Sequence, residues 1–416
     1  MSPAENAVAI DHHKGVGRGD PRQWNLLRGD VPFPAAVLRE SRIAHNLEWM
    51  RTFMQAYGMA LAPHGKTTMA PALFRRQVEA GAWGVTVATT QQAEVAANAG
   101  VDRILIANQV VGAGNIAMLA DLLKRPELRV MCLVDSPQGV AMLGAACRSR
   151  GLVLEVLLEL APEPDQPGFR TGVREEAGLQ AVLAALDDWP DALRLAGVEF
   201  YEGVLPDEAQ IRRFISRAVA TTDRLIACGA ITGDKAILSG AGSAWYDVVA
   251  EETADLARRG VAEVVLRPGC YISHDDGLYR EAQARILARN PVAPTLGTAL
   301  LPALQVWAVV QSIPDAGRAV VAMGKRDVAF DAGMPRPATQ LRPGRDTTIQ
   351  PAPSNWEVTG MMDQHAYLTF APGDDIAVGD VIAFDISHPC LTFDKWRRLL
   401  IVDDALNCIE VVETFF

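Results

Sequence analysis

A lysine stands where an apolar run ends near the start of the chain. The segment PHGKT, residues 63–67, follows the run MALA and precedes a stretch with helical periodicity. Lysine is rarely buried, and the end of a strand is an unusual place for one. In a low-dielectric pocket the neutral amine of Lys66 would be a nucleophile that can form a Schiff base with an aldehyde. The alternative is that Lys66 extends to the rim or pairs with a carboxylate.

A histidine and a cysteine lie two residues apart near the C-terminus. In the segment SHPCLTFDKW, residues 387–396, His388 and Cys390 point the same way if the backbone is extended. Imidazole and thiolate together favour zinc. A single H-x-C pattern is also common by chance, and two ligands are not four. The alternative is therefore a partly buried cysteine beside a loop histidine.

Apolar and helical stretches alternate regularly around Lys66 and far beyond it. About eight short apolar runs lie between residues 58 and 290: MALAP, GVTVAT, RILIAN, LRVMCLV, LVLEVLLEL, LRLAGVEF, KAILSG and AEVVLRP. Strand–helix alternation implies right-handed crossovers and a parallel sheet. The number and span of these units predict an α/β fold with a (β/α)8 barrel of the TIM type. A doubly wound open sheet is the structural alternative.

The character of the chain changes after residue 290. Proline and glycine become frequent, and alternating runs such as LQVWAVVQS and DVIAFDIS are typical of antiparallel strands. We therefore expect an N-terminal segment, residues 1–35, that packs with the β domain, and then a barrel, residues 36–290. A mostly antiparallel C-terminal β domain, residues 291–416, follows and carries the His388–Cys390 pair.

Functional residues of a barrel gather where strands end and the following loops begin. The loop SGAGS, residues 239–243, is informative because Gly240 and Gly242 are expected to let the backbone turn sharply and approach a ligand. A helix is predicted to start near Ser243, so free N–H groups would point at a bound phosphate. The alternative is a glycine turn that only caps a helix. Other candidates at strand ends are His64, Lys66, Arg170, Tyr201, Ser239, Gly269 and Tyr271.

The composition excludes several classes of function. The net charge of the 416-residue chain is -11, which disfavours nucleic-acid binding because that requires a basic patch. No apolar run reaches the roughly 18 residues of a membrane span. Residues 1–20 lack the apolar core of a signal peptide. The six cysteines are scattered without a CxxC spacing, so we expect reduced thiols in a cytoplasmic protein.

Taken together, these segments resemble the alanine-racemase-like, fold type III family of pyridoxal phosphate enzymes. Within it, the chain is similar to the D-serine dehydratase and D-threonine aldolase group from about residue 30 to the end. PHGKT resembles the family's lysine motif, which implies that Lys66 carries pyridoxal 5′-phosphate with His64 beside it. FRTGV and FYEG resemble segments that place Arg170 and Tyr201 at the cofactor ring. SGAGS and RPGCY resemble the phosphate loops, which implies cofactor contacts for Ser239, Gly240, Gly242, Ser243, Gly269 and Tyr271.

The C-terminal motif carries a second resemblance. HPCLTFDKW resembles the metal motif of the D-serine dehydratases, which implies that His388 and Cys390 bind Zn²⁺ or another divalent metal. D-threonine aldolases typically have an aspartate at the second ligand position, so Cys390 favours the dehydratase branch. His365 lies in a further similar segment, either as a substrate-pocket residue near the metal or as a core histidine. Where many members have histidines, this chain has Thr68 and Val204.

The resemblance implies a lyase that eliminates water from a D-β-hydroxy amino acid, D-serine or a relative, to give a 2-oxo acid and ammonia. Lys66 would take the Cα proton and the metal would polarise the β-hydroxyl. The alternatives are retro-aldol cleavage of the D-threonine aldolase type, racemisation, and non-enzymatic cofactor carriage. A racemase needs a second acid/base, for which no clear candidate exists, and the carriers lack the C-terminal domain. We expect a homodimer acting on a small D-amino acid.

Overall fold

The computed structural model describes residues 13–167, 170–231 and 233–416. The beginning of the predicted N-terminal segment and Phe169 of FRTGV lie outside these residues. The described residues form two compact units. The barrel unit contains Ala44–His274, Leu278–Leu301 and Phe415–Phe416; the β unit contains the described residues up to Ile43, Asp275–Gly277 and Pro302–Thr414. The domain boundaries predicted at residues 35 and 290 stay a prediction.

Helices alternate with strands in the barrel unit, and strands dominate the β unit. The helices are α1 Glu40–Tyr57, α2 Pro71–Glu79, α3 Thr90–Asn98, α4 Ala113–Leu123, α5 Pro137–Arg148, α6 Glu176–Asp187, α7 Glu208–Ala227, α8 Tyr246–Arg259, α9 Leu278–Arg289 and α10 Pro389–Phe393. The strands are β1 Ala35–Arg39, β2 Ala60–Leu61, β3 Val85–Val87, β4 Arg103–Gln109, β5 Arg129–Val134, β6 Leu154–Leu160, β7 Leu193–Phe200, β8 Ala236–Gly240, β9 Ala262–Leu266, β10 Leu304–Asp315, β11 Arg318–Val321, β12 Arg336–Leu341, β13 Gln350–Pro351, β14 Glu357–Met361, β15 Ala366–Thr369, β16 Val381–Asp385, β17 Arg398–Val402 and β18 Cys408–Glu413. None of the helices in the described ranges is long and apolar enough to cross a membrane.

In the described part of the barrel unit, eight parallel strands form one sheet in the order β2-β9-β8-β7-β6-β5-β4-β3. The first strand therefore pairs with the last one, as closure requires. A parallel bridge between His64, which follows β2, and Thr86 in β3 joins the two ends of this order. The predicted (β/α)8 barrel is confirmed, and the doubly wound alternative is wrong because the strand order runs around the barrel without a reversal.

Burial on both faces explains why the barrel strands appear as continuous apolar runs in the sequence. Their inward side chains form one core cluster: Ala62, Leu105, Met131, Leu133, Leu157, Ala196, Ile237 and Val265. Side-chain caps fix where several of the following helices begin. Thr89 accepts from the N–H of Gln92 before α3, and Asp207 accepts from the N–H of Gln210 before α7. These caps limit the length of the strand-end loops.

The β unit is built on a mostly antiparallel sheet that contains β1 and β10–β18 among the described residues. Its path runs β13-β12-β16-β10-β1-β17-β18, and β1 pairs in parallel with β17. The predicted antiparallel β domain after the barrel is confirmed. Trp24, Leu26 and Val31, from the N-terminal segment, belong to the core of this unit together with Trp307 and Leu400.

Candidate active site

Lys66 is the one lysine of the chain that follows the carboxyl end of a barrel strand. It lies in a 3-10 turn, Gly65–Thr67, directly after β2, and its side chain is exposed. The chain has five other lysines: Lys14, Lys124, Lys235, Lys325 and Lys395. Lys124 ends α4, Lys235 stands before β8, and the remaining three are in the β unit. Within the described residues Lys66 forms no ion pair or hydrogen bond, so the carboxylate-pairing alternative is not observed.

His64 adjoins Lys66 at the point where the barrel closes. Its backbone bridges to Thr86, and its Nδ1 is buried without a partner among the described residues. Burial lowers the pKa of His64 well below 6.5, and the positive charges of Lys66, Arg267 and Arg170 lower it further. The ring is therefore neutral at physiological pH and adds no charge beside the lysine.

A buried ion pair lies at the ends of β7 and β9. The Arg267 guanidinium, 5% exposed, pairs with the carboxylate of Glu199, which is 2% exposed, and donates to the Phe200 carbonyl at 2.9 Å. Burial raises the pKa of Glu199 to about 7, against the opposing effect of Arg267. The pair fixes the Arg267 charge near His64, where it contributes to lowering that histidine's pKa.

Arg170 and Tyr201 lie close together in the loops after β6 and β7, and their place at a cofactor ring stays a prediction. The Arg170 guanidinium lies 4.9 Å from the centre of the Tyr201 ring. Its loop is fastened on one side, because the Thr171 hydroxyl donates to Glu159 at 3.0 Å. Burial raises the pKa of Tyr201, and the negative charge of Glu202 raises it further, so its side chain is a neutral phenol.

The loop after β8 turns differently from the prediction. The sharp turn is at Ala241, with φ 75°, and not at either neighbouring glycine. Gly240 instead allows close packing, since a Cβ there would lie 2.4 Å from the Phe200 ring. The carboxylate of Glu202, which is 0% exposed, accepts from the N–H of Ala241 at 3.1 Å and of Gly242 at 2.7 Å. Glu202 thus holds the loop in a left-handed conformation that alanine rarely adopts.

The hydroxyl groups of the remaining phosphate-loop candidates already form hydrogen bonds within the protein. The Ser239 hydroxyl is buried and donates to Val265, and the Tyr271 hydroxyl accepts from Gln77. The Ser243 hydroxyl accepts from the N–H of Cys270 at 3.1 Å, which ties the loops after β8 and β9 together. A Cβ at Gly269 would lie 2.5 Å from the His64 carbonyl, so Gly269 permits close contact between the β2 and β9 loops.

Free donors remain at the positive end of α8. Within the described residues, the N–H groups of Ser243 and Ala244 donate no hydrogen bond. The 14-residue helix α8 begins at Tyr246, after the N-cap residue Trp245, and such an end favours an anion. With the unpaired Lys66 amine and the unpaired Nδ1 of His64, these donors fit a phosphorylated aldehyde cofactor.

His388 and Cys390 are in contact within the β unit. His388 has extended backbone, with φ −149°, just before α10. Its ring is hydrogen-bonded to the Cys390 thiol and, through Nδ1, to Asp331 at 2.7 Å. These bonds raise the pKa of His388 to about 9, against the opposing effect of burial. No group of three or more His, Cys, Asp or Glu side chains in the described ranges could hold a metal, so the pair supplies two donors.

His365 lies in an exposed turn of the β unit and not in its core. It follows β14 in the tight turn before β15, where the N–H of Met362 donates to its carbonyl, and its side chain is exposed. A core position is therefore not observed. The substrate-pocket role of His365 stays a prediction.

Several residues of these networks were not singled out from the sequence, among them Glu202, Arg267 and Asp331. Glu202 and Arg267 stand inside the quoted segments FYEG and RPGCY, so their place at strand ends was a usable signal. Asp331 is 57 residues from His388, and no spacing rule connects the two.

Comparison with known proteins gives two family matches. Residues 38–268 match the family described as "Alanine racemase, N-terminal domain", which covers more than half of the chain. Residues 303–402 match "Putative serine dehydratase domain".

Similar proteins span nearly the full length. A D-threonine aldolase of Arthrobacter sp is 25% identical, with 94% of this chain and 95% of that protein covered. D-threo-3-hydroxyaspartate dehydratase of Delftia sp. strain HT23 is 29% identical over 89% and 93% of the two chains. The crystal structure of D-threonine aldolase from Filomicrobium marinum has a TM-score of 0.74 and 26% identity over 92% and 95%.

A solved structure of a D-threo-3-hydroxyaspartate dehydratase, with a cysteine replaced by alanine, is described as a metal-free form; it has a TM-score of 0.69 and 23% identity over 94% and 99% of the two chains. The barrel, the lysine at its first strand end and the two family matches lead to one conclusion: the chain belongs to the alanine-racemase-like, fold type III family of pyridoxal phosphate enzymes, in the D-serine dehydratase and D-threonine aldolase group.

Proposed function

We propose that the chain is a pyridoxal phosphate- and metal-dependent lyase that removes water from a D-configured β-hydroxy amino acid, D-serine or a relative, giving a 2-oxo acid and ammonia. The observation that carries the proposal is the direct contact of His388 with Cys390. Imidazole and thiolate are donors that suit zinc. The D configuration rests on the family resemblance.

The barrel residues hold the cofactor and move the proton. Lys66 is the covalent attachment point, and the N–H groups of Ser243 and Ala244 bind the phosphate. When bound, the cofactor supplies an electron sink for negative charge at the substrate Cα. The Lys66 amine accepts the Cα proton. Arg170 and Tyr201 orient the cofactor ring, and the Tyr201 phenol stays neutral because its pKa is raised.

The β unit supplies the second requirement of the elimination. His388 and Cys390 hold a divalent metal, zinc by donor type. When bound, the metal supplies Lewis-acid stabilisation for the departing hydroxide. A D-threo-3-hydroxyaspartate dehydratase variant that is described as metal-free supports a metal in this group. His365 is a candidate for substrate contact.

Retro-aldol cleavage is the second candidate because two of the similar proteins are D-threonine aldolases. Cleavage needs a base for the β-hydroxyl proton, whereas elimination needs a base at Cα. Positions 68 and 204, where many members have histidine, are Thr68 and Val204 here. Neither side chain is a base, which favours elimination.

Product identity tests the proposal. The purified holoenzyme is incubated with D-serine, D-threonine and D-threo-3-hydroxyaspartate, and with the L isomers. Elimination gives ammonia with pyruvate, 2-oxobutanoate or oxaloacetate. Glycine and acetaldehyde as the main products from D-threonine would show an aldolase, and inversion to the L isomer without ammonia would show a racemase. The absence of any turnover would favour cofactor carriage.

We also propose a homodimer, on the family resemblance. Light scattering of the eluted peak should then give twice the chain mass of 44.8 kDa. A peak at the chain mass itself would contradict the dimer.

A further inference from the structure

We propose that Asp331 is the positioning residue of the metal pair: its carboxylate holds the His388 imidazole through Nδ1, and Nε2 is the nitrogen that binds the metal. The inference rests on the proposed metal at His388 and Cys390. It goes beyond that proposal because Asp331 lies 57 residues from His388 in the sequence and outside the segment HPCLTFDKW.

The contact is short and directional. Nδ1 of His388 lies 2.7 Å from Oδ2 of Asp331. A carboxylate accepts and does not donate, so Nδ1 carries the proton in the neutral ring. Nε2 then has the free lone pair that a metal needs.

The segment that carries Asp331 is fastened to the metal motif on both sides. The Ser387 hydroxyl donates to the Gly333 carbonyl at 2.6 Å. The N–H of Ala329 donates to the Thr392 hydroxyl at 3.2 Å, and that hydroxyl donates to the His388 carbonyl at 2.9 Å. Asp331 therefore stands between two fixed points, and its approach to His388 is set by the backbone.

Asp331 has no competing partner in the part of the chain that the structure describes. Its side chain is 45% exposed, and its ion pair is with His388 and not with a lysine or arginine. A carboxylate that holds the outer nitrogen of a metal-binding histidine raises the basicity of the ring, and its loss costs about 10- to 100-fold in metal affinity.

Zinc affinity of the cofactor-loaded, metal-stripped enzyme tests this inference. The dissociation constant of zinc is measured by competition with a chromophoric chelator for wild type, Asp331→Ala, Asp331→Glu and His388→Ala. Asp375→Ala is the matched control, because Asp375 is an exposed carboxylate of the same unit paired with Arg342 at 2.9 Å. Thermal unfolding of each metal-free form shows whether the fold is intact.

We expect Asp331→Ala to weaken zinc binding about 10- to 100-fold, with Asp331→Glu restoring part of the affinity and Asp375→Ala equal to wild type. The cofactor absorption and the metal-free unfolding temperature should not change. Asp331→Ala with wild-type zinc affinity, while His388→Ala binds weakly, overturns the role of Asp331 alone. Wild-type affinity in His388→Ala overturns the metal site itself. If Asp331→Ala does not fold, the isosteric Asp331→Asn decides: weaker zinc binding supports the inference and unchanged binding overturns it.

Discussion

The mouth of the barrel and the His388–Cys390 motif are assembled in opposite ways. The barrel mouth collects side chains from loops after β2, β6, β7, β8 and β9, and buried contacts such as the Arg267–Glu199 pair hold them. The motif consists of two partly buried residues two positions apart in sequence, His388 directly before a five-residue helix and Cys390 within it. The fold assembles the barrel site from segments that are distant in sequence, whereas the motif lies within one short segment.

The two histidines show what this difference does to chemistry. Burial and three positive neighbours lower the pKa of His64. A thiol and a carboxylate raise the pKa of His388 to about 9 in the metal-free chain. The barrel thus favours a neutral ring beside an amine, whereas the thiol and carboxylate of the motif favour a positively charged ring.

Replacing Lys66 is expected to cause the largest loss of activity of the changes considered. Lys66→Ala should reduce turnover at least about 1000-fold, because it removes both the attachment point and the base at Cα. The rate of 2-oxo acid formation is the measurement. Lys124→Ala, an exposed lysine of the same unit paired with Asp121, is the control and should keep wild-type activity. Full activity in Lys66→Ala would remove Lys66 from the mechanism.

Replacing Cys390 should impair the metal motif and leave cofactor binding in the barrel unchanged. Cys390→Ala should lower bound zinc and reduce turnover at least about 100-fold, since a metal ligand contributes more than the groups behind it. The cofactor absorption should persist, because the barrel site is intact. Metal analysis and a visible spectrum on the same sample make the measurement, with the exposed Cys228 replaced by alanine as the control. Undiminished activity with no metal bound would refute the role of the motif.

Removing one hydrogen bond between Glu202 and the loop after β8 should have a moderate effect on the free energy of unfolding. Glu202→Gln keeps one acceptor oxygen for two N–H groups, so one buried donor loses its partner. The free energy of unfolding should fall by about 1–3 kcal/mol. Denaturant unfolding measures this, and Glu176→Gln, on the exposed start of α6, is the control. Equal stability of Glu202→Gln and wild type would show that the Ala241 turn does not depend on the carboxylate.

The smallest expected effect is the acid sensitivity that His64 contributes. Because its folded-state pKa is lowered, the unfolded chain takes up a proton below about pH 6.5 that the folded chain does not. His64 therefore costs stability as the pH falls, by about 1 kcal/mol between pH 7.5 and 5.5. Urea unfolding at both pH values should show a smaller loss for His64→Gln than for wild type. An equal loss would mean that His64 is protonated in the folded chain.

The sequence predicts the framework well because periodicity reports burial directly. All eight apolar runs contain barrel strands. Arg170 and Tyr201 were both candidates because they follow strand ends, and the two side chains lie close together. The sharp turn expected at Gly240 and Gly242 is not at either glycine, for a physical reason, and their contact with the cofactor stays a prediction. The left-handed turn is at Ala241, which is possible because Glu202 bonds the two adjacent N–H groups.

Contacts between residues that are distant in sequence could not be predicted from the sequence. The sequence suggested that His388 and Cys390 share one face of extended backbone, whereas Cys390 lies within α10. The contact with Asp331 depends on how residues 329–333 are fastened to residues 387–392. The Arg267–Glu199 pair likewise depends on which side chains of β7 and β9 turn inward. Such choices are set by packing, which a single sequence does not display.

Borohydride reduction of the holoenzyme, followed by tryptic peptide mapping, tests most directly the claim that the barrel site is built on Lys66. Reduction fixes the cofactor to its lysine and blocks cleavage there. The cofactor mass should appear on one peptide, residues 52–75, which runs from the residue after Arg51 to Arg75 and contains Lys66. Label on a peptide that contains Lys14, Lys124, Lys235, Lys325 or Lys395 instead, or no label at all, would contradict the account.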